Sequence, residues 1–369
     1  MAKKMPSVIV TFREKGITAI QRSERGIVLL VLEEDKHVGP DTIYTVDDIP
    51  EDLSDDSKEQ IKLALMGYQL APKKVLCYYI AKPAAKDGAA AVQDYTAVLK
   101  TIENVRFDYL VIPQITAAKT QDIATWIKGM RTTKDTRVKA VLPNCPADNE
   151  GVVNFTNSVI KTAAKNYTAA QYCSRVAGLI AGTPLTISCT YAPAAELIEV
   201  ENQTSDERDA RVGKGEFFFF NDGEKIKVAR GVNSYVTTMQ GKGEDFQKIK
   251  LVDIMDMIHD DIKKTGHDSY IGKYANSYDN RCLLITAING YFDGLELDGL
   301  LEKGQNSAEI DIPATKVWLE SNGLKTRDEL ESMKDIEIKY ANVHDQCFIA
   351  ANLSILDAVE DIRVNCTIE

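Results

Sequence analysis

Apolar residues change their rhythm along the chain, and each change predicts a different kind of element. Val8-Ile9-Val10-Thr11-Phe12, Ile17 to Ile20 and Gly26 to Leu32 are rich in β-branched residues and predict strands behind an N-terminal arm. Residues 33 to 56 are acidic, hold Pro40 and Pro50, and predict surface loops. Ser57-x-x-Gln60 has the form of a capping box, and Ile61, Ala64, Leu65 and Tyr68 follow at helical spacing up to Pro72. Lys74 to Ile80 predicts the next strand.

From about Asp94, helical stripes alternate with short apolar runs, the pattern of a parallel α/β sheet. Tyr95, Val98, Leu99 and Ile102 form one stripe, followed by a strand over Phe107 to Ile112. Ile123, Trp126, Ile127 and Met130 form the next, followed by Arg137 to Leu142. A further helix runs from Thr168 through Tyr172, Val176, Leu179 and Ile180 to Gly182-Thr183-Pro184. Phe217 to Phe220, with Asn221-Asp222-Gly223 behind, predict a hairpin whose rings alternate between two buried faces. Beyond Gly241-Lys242-Gly243 a long helix carries Leu251, Ile254, Met255, Ile258 and Ile262, and another carries Leu284, Ile288, Tyr291, Phe292 and Leu295. Strands are predicted at Ile336 to Tyr340, Cys347 to Ile355 and Ile362 to Ile368, the last alternating to the end.

At 369 residues the chain exceeds what one core usually organises, so two or three domains are expected. Its net charge of −11 speaks against a nucleic-acid binder. The longest apolar run is too short for a membrane span, and no apolar segment follows Lys3 and Lys4, so a cytoplasmic protein without leader or anchor is expected. Residues 1 to 25 are basic and 33 to 59 acidic. Such blocks suit either solvated surface or head-to-tail attraction between copies. Cys77, Cys145, Cys173, Cys189, Cys282, Cys347 and Cys366 show no metal-type spacing and read as reduced residues.

Catalytic chemistry finds little to work with. The histidines are His37, His259, His267 and His344, so none lies between 94 and 250 and no Ser-His-Asp triad fits within that segment. His259 and His267 lack the i, i+4 spacing of a zincin helix. Gly213-Lys-Gly215 and Gly241-Lys-Gly243 lack the phosphate-loop patterns and read as turns. Asp293 to Gly299 departs from a calcium loop, and Tyr172-Cys173-Ser174-Arg175 belongs to an amphipathic helix. No catalytic residue, metal or cofactor is expected. The two ends stand out instead. Each is extended and alternating, and each either completes a strand of its own sheet or pairs with a neighbouring copy. A dozen extended residues reach roughly 40 Å.

The order of these elements resembles the contractile phage tail sheath family, closest to the short sheaths of PBSX-like defective prophages and R-type bacteriocins. The resemblance rests on Met5-Pro6-Ser7-Val8, Met66 to Tyr79, Phe107-Asp-Tyr-Leu-Val-Ile-Pro, Tyr172 to Leu185, Arg230-Gly-Val-Asn-Ser, Phe246 to Asp261, and Leu356-Asp-Ala-Val-Glu-Asp-Ile. It implies an α/β and α+β multidomain protein: an N-terminal arm (1–22), a β-rich N-terminal domain (23–93), a subtilisin-like α/β middle domain without a protease site (94–245), a C-terminal α+β domain (246–360) and a C-terminal arm (361–369). It implies strand exchange between subunits through Val8, Ile9, Val10, Thr11 and Phe12 and through Ile362, Val364, Cys366 and Ile368. A tube-facing helix would present Asp260, Asp261, Lys263 and Lys264.

The implied function is mechanical. Copies would form a helical homo-oligomer of stacked rings around an inner tail tube protein and shorten to drive the tube through a bacterial envelope. Baseplate and tail terminator proteins would be partners, without nucleic acid or membrane insertion of this subunit. Assembly would be cytoplasmic, before release of a phage or phage-tail-like particle. A baseplate or tube-associated component, or a subtilisin-like hydrolase, are the alternatives.

Overall fold

Ile27–Glu33 (β1) is apolar without alternation, as a strand buried on both faces requires, and its first six residues are buried. The computed structural model describes residues 19–83 and 93–368. Among these residues, contacts divide the chain into a larger unit, within 22–261 and 355–368, and a smaller one, 19–21 with 262–354.

In the larger unit β1 is followed by Asp41–Ile43 (β2), Asp55–Leu65 (α1), Lys74–Ile80 (β3), Thr96–Ile102 (α2), Tyr109–Val111 (β4), Ala117–Thr132 (α3), Lys139–Pro143 (β5) and Val152–Phe155 (β6). Ile160–Thr162 (β7), Ala169–Ala181 (α4), Leu197–Val200 (β8), Ser205–Gly213 (α5), Glu216–Phe217 (β9), Phe219–Asn221 (β10) and Ile226–Val228 (β11) come next. Then Ile249–Thr265 (α6) begins, and the division between units falls in its last turns. One seven-stranded sheet runs β2-β3-β1-β4-β5-β6-β9, parallel except for β2.

The side chains of β1 alternate between two cores. Val28, Leu30 and Leu32 pack with Ile61 of α1 and Tyr172 and Val176 of α4. Ile27, Leu29 and Val31 pack with Val98 and Ile102 of α2 and Ile123 and Ile127 of α3. This corrects the expectation of a separate β-rich stretch over 23–93: β1 and β3 lie in the same sheet as β4 to β6. A strand buried on both faces needs helices on both sides, and α2 and α3 come from beyond residue 94.

Local chemistry explains the other departures. The cap of α1 is Ser54 and not Ser57: the Ser54 side chain accepts the Ser57 N–H. The helix stops before Pro72 because Gly67, at φ +61°, turns the chain so tightly that a Cβ there would lie 1.9 Å from Leu70 O. Thr168 caps α4 through a true capping box with Gln171. Phe217 closes the large sheet, whereas Phe219 enters the β10–β11 hairpin. Phe217 and Phe219 share the α1/α4 core, while Phe218 lies under the Arg211 guanidinium at 4.1 Å and Phe220 under Arg208 at 4.7 Å.

The smaller unit holds Tyr278–Leu297 (α7), Ser307–Ile310 (β12), Ile312–Ser321 (α8), Arg327–Ser332 (α9), Asp335–Tyr340 (α10) and Ile349–Asn352 (β13). The strand expected over Ile336 to Tyr340 is therefore a helix. Glu337 accepts the Lys334 N–H at 2.7 Å and starts the turn, and Ile338 is buried while Ile336 and Tyr340 stay exposed. Ile338 joins Leu319, Leu330 and Val343 in a small core.

Candidate assembly interface

Asp253, Asp256 and Asp260 recur along one stripe of α6, and basic residues of the α/β layers meet them. Lys139, at the start of β5, lies 2.9 Å from Asp253 and 2.8 Å from Asp256. Arg131, from α3, forks onto Asp256 with two bonds of 2.9 Å and approaches Glu150 at 3.3 Å. Tyr109 donates its hydroxyl to Asp253 at 2.8 Å. Arg25 bonds Asp108 at 2.8 Å and Asp260 at 2.9 Å. Burial works against ionising Asp256, but Lys139 and Arg131 outweigh it and hold the carboxyl at about 2. Burial dominates at Asp253 and pushes its carboxyl up despite Lys139. The network fastens the first turns of α6 to the sheet.

It also alters the expected tube-facing patch. Asp261 is buried and accepts the Ser23 N–H at 2.9 Å, so it turns inward. Asp260 is engaged by Arg25 and by His259 at 3.0 Å. Lys263 is half-buried and Lys264 exposed. A patch read from sequence neighbours splits because successive helical residues point about 100° apart.

The histidines are dispersed. His37 bridges Asp41 and Asp52, His259 bridges Asp135 and Asp260, and His267 and His344 are exposed. Among the described residues no three His, Cys, Asp or Glu side chains are grouped to hold a metal. Cys77, Cys145, Cys173 and Cys189 are buried free thiols, and burial pushes Cys77 up to about 12.

The C-terminal segment has two parts. Residues 356 to 361 are pinned to the larger unit: Lys250 donates to Leu356 O at 2.8 Å, Lys248 pairs with Asp357, and Arg230 reaches Glu360 at 2.9 Å and Asp361 at 2.8 Å. Beyond them Ile362, Val364 and Ile368 are 77%, 76% and 95% exposed, and Cys366 is exposed too. The strand expected over Ile362 to Ile368 is not formed, since among the described residues it has no partner strand. Val8 to Phe12 lie outside the described residues.

In the smaller unit β12 and β13 form a two-stranded antiparallel sheet, with Ile310 opposite Ile349 and Ala308 opposite Ala351. The Asn289 side chain, from α7, accepts the Ala308 N–H at 2.7 Å and donates to its C=O at 3.2 Å. That amide occupies the outer edge of β12 as a strand would. Among the described residues β13 pairs only with β12. The anchored segment and the β13 edge escaped sequence reasoning, because neither pairing leaves a local periodicity.

Two family models match the chain: the phage tail sheath protein central domain over residues 88–234 and the phage tail sheath C-terminal domain over 241–369. A tail sheath protein of Clostridium phage phiCD119 is 38% identical over 363 residues, covering 97% of this chain and 98% of that protein. The crystal structure of a sheath tail protein from Desulfitobacterium hafniense superposes with a TM-score of 0.67 at 20% identity, covering 83% of this chain and 94% of that one. The contracted helical sheath of the anti-feeding prophage gives a TM-score of 0.69 at 14% identity, with 100% of both chains covered.

Proposed function

The chain belongs to the phage tail sheath protein family, and we propose that it polymerises by donating its terminal arms to neighbouring copies. As a family member it is a structural subunit of a contractile tail sheath, part of a phage or phage-tail-like particle, and not an enzyme.

One observation carries the arm exchange: a run alternating apolar and polar residues, 362 to 368, is exposed in a chain whose β12–β13 sheet has two strands among the described residues. A two-stranded sheet is marginal alone. An added strand satisfies backbone groups at the β13 edge, each bond contributing about 0.5–1.5 kcal/mol net. Ile362, Val364, Cys366 and Ile368 would then continue the face of Ile349 and Ala351, leaving Arg363, Asn365 and Thr367 to solvent. Residues 8 to 12 are the proposed second arm.

Repeated over every copy, such tethers hold a helical polymer of stacked rings around an inner tail tube. They stay paired while whole domains slide to the shortened packing. The helical, contracted sheath of the anti-feeding prophage, which shares the fold, is the precedent. We further assign the parallel sheet and its helices to a subtilisin-like middle domain, with the proposed arms set off at residues 22 and 360. Lys263 and Lys264 are the proposed tube-facing residues of α6. Baseplate and terminator proteins are proposed at the ends of the polymer, with assembly in the cytoplasm and no nucleic acid. No helix of the described residues is long and apolar enough to cross a membrane.

Deleting residues 1 to 12 or 362 to 369 tests the reading. Each deletion should leave a folded monomer unable to polymerise, and unchanged assembly after both would refute it.

A further inference from the structure

Two segments that are far apart in sequence, Arg230-Gly-Val-Asn-Ser and Leu356-Asp-Ala-Val-Glu-Asp-Ile, meet in the fold. The Glu360 side chain is only 8% exposed, although the residues that follow it are open to solvent. Thr190 donates its hydroxyl to Glu360 Oε1, Ser188 Oγ lies 2.9 Å from the same oxygen, and Arg230 Nε lies 2.9 Å from Oε2. The Thr190 hydroxyl accepts the Gly231 N–H at 2.9 Å, which leaves its own proton for the carboxylate. A side chain at 231 would crowd the cradle, because a Cβ there would lie 2.9 Å from Cys189 Sγ and 3.1 Å from Ser188 Oγ. Lys250, itself buried, caps the Leu356 carbonyl, and Lys248 takes Asp357.

We propose that this cradle is the root of the C-terminal arm: Glu360 fixes the point at which the arm leaves the α/β unit, so that only residues beyond 361 are free to pair with a neighbouring copy. The inference rests on the arm-exchange reading above and adds to it a load path. Tension on a paired arm passes through Glu360 into Arg230 and the 188–190 loop, and from there into the core. Without the Glu360 contacts, Leu356 and Asp357 stay held by Lys250 and Lys248, while residues 358 to 361 become slack and lengthen the free arm by roughly 13 Å at full extension. Lengthening a flexible tether by about half lowers its effective concentration about twofold, by the −3/2 power of length.

The test uses the full chain with Glu360→Ala, and separately Arg230→Lys, which keeps the charge but loses the guanidinium fork. A nitroxide is placed at Val359→Cys, with Cys282, Cys347 and Cys366 replaced by serine. In the monomer its electron paramagnetic resonance spectrum should be restricted with Glu360 present and mobile in Glu360→Ala. The critical concentration for assembly, from sedimentation of the unlabelled variants with every native cysteine kept, should rise about twofold or more. Deletion of 362–369 is the control and should abolish assembly while the label stays restricted. Assembly that survives the deletion overturns the arm-exchange reading and the anchor with it. Assembly lost on deletion, with label mobility and critical concentration unchanged in both point variants, overturns the anchor alone.

Discussion

Lys139 Nζ lies 2.8 Å from Asp256 Oδ2 with each side chain only 3% exposed, and Arg131 grips the same carboxylate. Two buried cations thus share one anion. Asp256→Ala leaves Lys139 with Asp253 and Arg131 with Glu150 alone, removes the bidentate partner of the guanidinium, and should cost about 3–5 kcal/mol in chemical denaturation. The sign with pH is also fixed. Because the folded pKa is depressed to about 2, the stabilisation is present above the ordinary carboxylate value of about 3.9. It is lost as pH falls through about 2, so the difference between wild type and Asp256→Ala should shrink on acidification.

Helices α1 and α4 cross at Gly178, where a Cβ would sit 2.0 Å from Ala64 O and 2.9 Å from Ala64 Cα. Backbone atoms of a packed helix cannot yield that far. Gly178→Ala, which would favour an isolated helix, should instead destabilise by about 1–3 kcal/mol or more, read as a lowered denaturation midpoint.

His37 holds Asp52 at 2.8 Å and Asp41 at 2.7 Å on the acidic surface. The bond to Asp52, opposed by partial burial and reinforced by Asp41, raises its pKa above the ordinary value. A raised histidine stabilises fully below its unfolded value of about 6.5 and loses that contribution as pH rises through the folded value. His37→Gln should therefore lower the melting temperature at about pH 5.5 and leave it unchanged at about pH 8.5.

The arm's two faces should differ. Val364→Lys places a charge where the proposed pairing buries an apolar side chain, whereas Asn365→Lys faces solvent. Both residues are exposed in the isolated chain, so neither change should alter its melting temperature. Sedimentation should show assembly lost in the first and retained in the second. Equal assembly would contradict the proposed register.

Much of the larger unit was legible because its signals are local. The stripe of Ile123, Ile127 and Met130 became α3, and the unalternating run at Ile27 became a central strand. Placing β1 in one sheet with β4 was not legible, since parallel pairing depends on residues far apart. Ile336, Ile338 and Tyr340 alternate like a strand, yet Glu337 capping Lys334 starts a helix, so a short period-two pattern lost to one hydrogen bond. The free arm was visible as a repeating apolar face in Ile362, Val364 and Ile368. Its anchor was not, because Glu360 resembles any surface acid until Ser188, Thr190 and Arg230 surround it.

Negative-stain electron microscopy of the purified full chain beside the chain lacking residues 362 to 369, both concentrated at moderate salt, tests the central claim most directly. Hollow cylinders or stacked rings from the full chain, with dispersed folded monomers from the truncated one, is the predicted result. Cylinders of the same form from the truncated chain would contradict assembly through the C-terminal arm.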